Sequence, residues 1–169
     1  RVRSPSPLGN NIIEQLGATP VSMPMGEVYE ALQRGTIDAA LAPVDTLHDF
    51  SFHEVVDYVT VGYFSMTPFF TVMNTDVYGN LASSDQELID SMVGLQMAEA
   101  AGRAFDGAGA AGFEIAEESG VTFIELADDQ LASWQDALEP IAEQWIEEME
   151  KNGFPGRAIY DRAVELGEQ

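Results

Sequence analysis

The 169-residue sequence contains no cysteine, which removes disulfides, thiol nucleophiles and thiolate metal ligands from consideration. Basic residues are scarce. Seven lysines and arginines face 29 aspartates and glutamates, giving a formal charge of −22, and Lys151 is the one lysine. Between Thr75 and Glu150 only Arg103 is basic. A surface of that sign repels phosphate backbones and anionic lipid, so neither a nucleic-acid partner nor a membrane-surface role is expected. Such an excess is tolerated where salt screens it, as in a high-salt habitat. No apolar run approaches the ~18 residues of a bilayer span, so no direct membrane insertion is expected. Enzyme signatures are also missing: there is no Gly-x-Ser-x-Gly elbow, no phosphate-binding loop and no His-Glu-x-x-His. The sequence opens on Arg1, with neither an initiator methionine nor a signal peptide, so a processed or excised chain is expected.

Hydrophobic residues make up 46% of the chain, enough to bury a core at a length usual for one domain. The most informative run is residues 17–40, GATPVSMPMGEVYEALQRGTIDAA. Thr19 to Met23 reads as a short strand ending at Pro24. Gly26 reads as a helix N-cap with Glu27 in the first turn, where a carboxylate suits the helix dipole. Val28, Tyr29 and Leu32 form an apolar stripe, Gly35 stops the helix after Arg34, and Ile37 to Leu41 reads as a second strand. A helix joining two strands by very short turns predicts a parallel βαβ unit.

Upstream, Val2 to Ser4 reads as a strand end. Ser6 before Pro7 is an N-cap signal for a helix through Leu16. Downstream, Val44 to Val55 reads as a helix with Leu47, Phe50 and Val55 inward, and Val56 to Phe64 and Phe69 to Met73 read as strands. Ser84 and Glu87 form a capping box for a long helix marked by Leu88, Met92, Leu95 and Glu99. The glycines of residues 107–112 weaken its end and predict a bend, with Phe113 to Ser119 resuming the helix and Gly120 stopping it. Val121 to Leu126 reads as a strand. Asp128 then caps a second long helix, kinked at Pro140, with Trp134 and Trp145 on its apolar face. Gly153 ends that helix and Pro155 opens a last one.

The residues Gly17, Ala18, Pro20, Met23, Glu27, Val28, Tyr29, Ala31, Leu32, Gln33, Gly35, Ile37 and Asp38 stand at the spacing of a family signature. That signature resembles the core motif of the TRAP (tripartite ATP-independent periplasmic) transporter solute-binding proteins. The resemblance continues from Arg3 to Leu81 and, more loosely, through the acidic C-terminal half, but covers only the second half of the family. It implies an α/β fold: the second lobe of a two-lobe, type II-like periplasmic binding protein, with a parallel or mixed sheet flanked by helices and a long interlobe helix. The first lobe is expected to be largely missing. Residues 1–68 are expected to form the second-lobe α/β segment. Residues 69–106 are expected to supply a crossover strand and the long interlobe helix, belonging partly to the missing lobe, and residues 107–169 to return to the second lobe.

The function implied is that of a non-catalytic periplasmic receptor. It would hold a small organic acid between two lobes, without a cofactor, and deliver it to TRAP membrane permease subunits driven by an ion gradient. Taken alone, an arginine so near a chain end reads as a surface residue. The resemblance instead implies that Arg3 forks onto the ligand carboxylate, in a geometry lysine cannot copy. Arg1, two residues earlier, points to the same face by strand periodicity and stays an alternative. Family positions that face the ligand align with Met25, Ala42 and Phe64, and Tyr63 and Met66 complete the expected pocket wall. Met25 and Phe64 read equally well as ordinary core. Ala42 departs from an asparagine common in the family and cannot donate a hydrogen bond, so a monocarboxylate with an apolar or aromatic body is expected. Three rivals remain: a ligand sensor for a membrane kinase, a metal-dependent enzyme built on Asp45, His48 and Asp49, and an acidic interaction module. The metal reading lacks ligands from a second element, and a solvated helix face accounts for the three residues.

Overall fold

The computed structural model describes residues 1–63 and 69–167. In chain order its elements are β1 (Val2–Ser4), α1 (Pro7–Gln15), β2 (Pro20–Ser22), a 3-10 turn (Met25–Glu27), α2 (Val28–Gln33), β3 (Ala39–Ala40) and α3 (Thr46–Asp49). A second 3-10 turn (Phe52–Glu54), β4 (Tyr58–Val61), α4 (Thr75–Gly79), α5 (Ser83–Met92) and α6 (Leu95–Glu118) follow. The chain closes with β5 (Thr122–Glu125), α7 (Asp128–Lys151) and α8 (Gly156–Gly167). Two units emerge: Arg1–Ala42, Thr60–Gly62 and Phe123–Gln169 in the first, Pro43–Val59 and Tyr63–Thr122 in the second. The division falls within both β4 and β5, which pair as a two-stranded sheet. No helix of the described residues is long and apolar enough to cross a membrane.

The first unit is the α/β part. Its sheet has the order β2-β1-β3, and β1 runs parallel to both neighbours, as the βαβ reading of the sequence requires. Helix α1 starts where the Ser-Pro pair places it: Ser6 Oγ accepts the Gly9 N–H at 3.1 Å, and Pro7 occupies the first turn. The entry to α2 differs from expectation. Gly26 lies inside a 3-10 turn rather than capping the helix, and Glu27 precedes the first α-helical residue. Pro24 at φ −60° directs the chain into that tighter turn. Strand β3 is shorter than Ile37 to Leu41 because only Ala39 and Ala40 meet β1 in register, opposite Val2 and Arg3. Ile12, Ile13, Val28, Ala31 and Ile37 form the buried apolar set here, joined by Ile146 from α7. On α7, Ile146 is buried while Trp145 is 39% exposed, which corrects the placement of Trp145 on the inward stripe. The cap of α7 also moves: Ala127 is the N-cap residue, its N–H reaches Gln130 Oε1 at 3.1 Å, and Asp128 sits in the first turn.

The second unit departs furthest from the sequence reading. Val44 to Val55 is not one helix. The chain leaves α3 through Ser51 in the left-handed region (φ 55°) and enters a 3-10 turn, which buries Phe52 and leaves Phe50 41% exposed. Phe69 to Met73 forms no strand; alternation makes a strand only when a ladder partner is present, and no described strand pairs with it. Helix α5 begins after Ala82 rather than at Ser84. Gln86 Nε2 ties it back to the carbonyls of Tyr78 (3.0 Å) and Leu81 (3.2 Å), a tertiary constraint that the local capping box did not include.

The expected single long helix is two, because Gly94 adopts φ 84° and ψ −149°, a conformation costly for any residue with a Cβ. Helix α6 then runs unbroken through the glycine-rich residues 107–112, where a bend was expected. The reason is packing. A Cβ on Gly112 would lie 2.3 Å from the Val44 carbonyl oxygen, so only glycine lets α6 press onto the chain entering α3. Ala116, one turn on, is fully buried, with Leu47, Phe52 and Val121 around the same core.

The two kinds of helix glycine separate in a stability experiment. Gly112→Ala should destabilise the protein by about 1–3 kcal/mol, the usual cost of forcing an extra carbon into a packed contact. Gly107→Ala, with nothing within 4 Å of the added carbon, should stabilise it by about 0.5–1 kcal/mol through helix propensity. Urea unfolding of both variants measures this, and equal midpoints would show that α6 does not rest on Val44.

Candidate functional site

Parallel strands present their carboxyl ends together, the usual place for a ligand crevice in an α/β sheet. Arg3 is on the central strand β1 and is 4% exposed. Its Nε donates to the Met23 carbonyl at 3.2 Å, just beyond β2, and its Nη1 donates to the Leu41 carbonyl at 3.1 Å, just beyond β3. The guanidinium therefore bridges the ends of both neighbouring strands. Among the described residues no carboxylate lies within ion-pair distance of it. Burial pushes its pKa down from the ordinary value, although an arginine starts so high that it stays charged. Among the described residues Nη2 makes no hydrogen bond and no fully buried side-chain nitrogen or oxygen lacks a partner, so Nη2 is at the accessible edge of the group.

That edge borders a depression of about 560 Å³ within the first unit. Arg3, Ser4, Ser6, Asn10, Ser22 and Met25 contribute to its lining, with no Asp, Glu or His among the described residues. Several of these polar groups are already used inside the chain. Ser4 Oγ donates to the Ser6 carbonyl at 2.9 Å, Ser6 Oγ caps α1, and Ser22 Oγ donates to Asn10 Oδ1 at 3.2 Å. In a chain of net charge −22, the one ionised side chain among the described residues of this lining is a cation. The arrangement suits an anion that brings its own acceptors.

Of the residues singled out from the sequence, Arg3 and Met25 line this depression together. Ala42 follows Leu41, is half-buried and does not line it. Tyr63 belongs to the second unit, is 91% exposed and has φ 47°. Phe64 and Met66 lie outside the described residues. Asn10, on α1, and Ser22, the last residue of β2, are not among the residues singled out, and only the fold brings them together.

Arg1 is occupied elsewhere. Its Nε and Nη2 fork onto Asp38 Oδ2 and Oδ1 at 3.2 and 3.0 Å, in solvent, and Nη2 also donates to the Gly35 carbonyl at 2.7 Å. This fork, above all, holds the Asp38 carboxyl well below the usual aspartate range. In the second unit His48 Nδ1 is 2.9 Å from Asp49 Oδ1, and His53 Nδ1 is 2.6 Å from the Leu47 carbonyl. Among the described residues no three Asp, Glu or His side chains are placed to hold a metal ion.

Comparison with known proteins places this geometry. The family model of bacterial extracellular solute-binding protein family 7 (DctP) matches residues 1–149. The ectoine-binding periplasmic protein TeaA of Halomonas elongata is 29% identical over 169 residues, covering 93% of this chain and 46% of that protein. A solved TRAP solute-binding protein from a marine metagenome, specific for aromatic acid ligands, superposes with a TM-score of 0.88 at 31% identity, covering 98% of this chain and 53% of that one. A TRAP solute-binding protein of Rhodoferax ferrireducens, solved with copurified benzoate, gives a TM-score of 0.84 at 26% identity over 98% of this chain and 53% of that one. The chain spans about half the length of each of these relatives.

The Arg1–Asp38 fork has a measurable signature. In a pH titration followed by side-chain carbon NMR, Asp38 should titrate below the ~3.9 of a free aspartate, and Arg1→Ala should bring it back up. A depressed carboxyl pKa gives stabilisation that is present above the unfolded value and lost as pH falls through the folded one. The contribution of this pair should therefore fade on acidification below about pH 4. An ordinary midpoint with Arg1 in place would refute the fork.

Proposed function

The chain belongs to the bacterial extracellular solute-binding proteins of family 7, and on that premise we propose that it is the ligand-binding portion of a periplasmic receptor, not an enzyme. In this reading the complete protein captures a small organic acid between two lobes and delivers it to TRAP permease subunits in the membrane. Arg3 carries the reading. A guanidinium that is buried, held by two carbonyls and left with free hydrogens at a depression is prepared for a carboxylate, whose two oxygens match the fork. Met25 and the prolines beside it favour a monocarboxylate with an apolar or aromatic body, in line with the aromatic acid and benzoate ligands named for two of the solved relatives.

The lobe assignment forms part of the same proposal. Residues 1–68 and 107–169 would make up most of the second lobe, and residues 69–106 would pack against the half that the longer relatives possess. Their apolar exposure supports this: Leu88 is 60% exposed, Leu95 82% and Phe70 83%, and the exposed Phe69 and Phe105 rings stack at 4.9 Å. Binding would close the lobes over the ligand and exclude water from Arg3.

Two experiments test the reading. In the complete gene product, Arg3→Ala and Arg3→Lys should both weaken binding of the best acid from a thermal-shift screen. Breaking a desolvated ion pair costs roughly 3–5 kcal/mol, on the order of a hundredfold to a few thousandfold in affinity. Arg1→Ala should change it little, and loss of binding in Arg1→Ala alone would move the site two residues along the strand. Calorimetry on the 169-residue chain alone should show much weaker binding than on the complete protein, since half the ligand's contacts would be absent. Equal affinities would place the whole site in this half.

A further inference from the structure

We propose that Asn10 is a specificity-determining residue of this depression: its amide N–H donates to a second oxygen, a hydroxyl or oxo group, on the body of the bound carboxylate. The inference rests on the reading of Arg3 as the carboxylate's partner and adds which acids the site prefers. Asn10 is in the second turn of α1 and is half-buried. Its Oδ1 accepts from Ser22 Oγ at 3.2 Å, which fixes the plane of the amide against the end of β2. The Nδ2 hydrogens are left without a partner among the described residues. The neighbouring Ser4 hydroxyl is spent on the Ser6 carbonyl, and Ser6 Oγ on the Gly9 N–H.

The side-chain nitrogens left over on this lining, Arg3 Nη2 and Asn10 Nδ2, are both donors, and no carboxylate or imidazole among its described residues can accept from them. A site of this kind favours a ligand with acceptors at two points: a carboxylate for the guanidinium and one further oxygen for the amide. An acid lacking that oxygen leaves the amide unpaired once water is expelled, and unpaired polar groups are what let a binding site reject the simpler analogue. An acid rich in hydroxyls fares worse, because the remaining described lining is apolar (Pro5, Pro7, Met23, Pro24 and Met25) or serine whose hydroxyl is already engaged within the chain.

The test titrates the complete gene product with three matched pairs: propionate and lactate, phenylacetate and mandelate, benzoate and 3-hydroxybenzoate. In the best-bound pair the oxygenated member should bind about tenfold or more tightly than its partner. Asn10→Ala should erase that preference while leaving the simpler acid within about twofold, which also shows that the variant is folded. Asn10→Asp, isosteric and still able to accept from Ser22, should lose the preference as well, because it has no N–H. Arg3→Ala should weaken both members. A wild-type protein that prefers the simpler acid, or a preference that survives Asn10→Ala, overturns the role of Asn10 alone. Binding of none of the six acids overturns the carboxylate-receptor reading, and this inference with it.

Discussion

A guanidinium held in the interior by two peptide carbonyls, with no carboxylate beside it among the described residues, sets the terms for the first unit. Removing an ion from water costs several kcal/mol, and hydrogen bonds to a charged group offset about 1.5–3 kcal/mol each. Arg3 has two such bonds, and they reach it from opposite sides: Met23 follows β2 and Leu41 follows β3. Both exist only when β1 is the central strand of a parallel trio with Arg3 opposite Val21 and Ala40. Fold and site are therefore one arrangement here. The sheet order brings the carbonyls to the guanidinium, and the incomplete satisfaction of that group gives the depression its character.

The contrast with Arg1 shows why position matters more than residue type. The two arginines share a strand face, yet Arg1 is in solvent with its fork filled by Asp38. An exposed, satisfied pair contributes little and has no capacity left for a ligand. The chain's excess of negative charge sharpens the difference, since it surrounds a lone buried cation with a field that favours the cation and repels stray anions from most of the remaining surface. In the proposed reading, capture of an organic anion by so acidic a protein would depend on a local reversal of sign.

Much of the fold could be read from short-range signals. Ser6 and Pro7 opened α1, the short turns around α2 predicted the parallel sheet, and Gly35, Gly120 and Gly153 follow the helices they were expected to end. The misreadings have a common source. Phe50 and Phe52 are equally apolar, and only the turn at Ser51 chose which is buried. Residues 107–112 looked weak as a helix because propensity counts the cost of glycine, whereas Gly112 is required by the backbone it touches. Phe69 to Met73 has the composition of a strand but no described neighbour to pair with. The candidate site divides in the same way: the family resemblance pointed to Arg3 and Met25, which line the depression, while Asn10 and Ser22 were not legible, because a helix residue and a strand residue twelve apart become neighbours only through the turn from α1 into β2.

The sequence by itself determined the parallel α/β character, the family signature around residues 17–40, the absence of thiol chemistry and the strongly negative surface. Each of these is a property of composition or of spacing within one or two turns of chain. The tertiary structure decided which arginine is buried and unpaired, which is consumed by Asp38, and which small polar residues share the depression with Arg3. Those outcomes depend on contacts between segments about 12 to 40 residues apart, where strand order and desolvation, rather than local preference, fix the partners available to a charge.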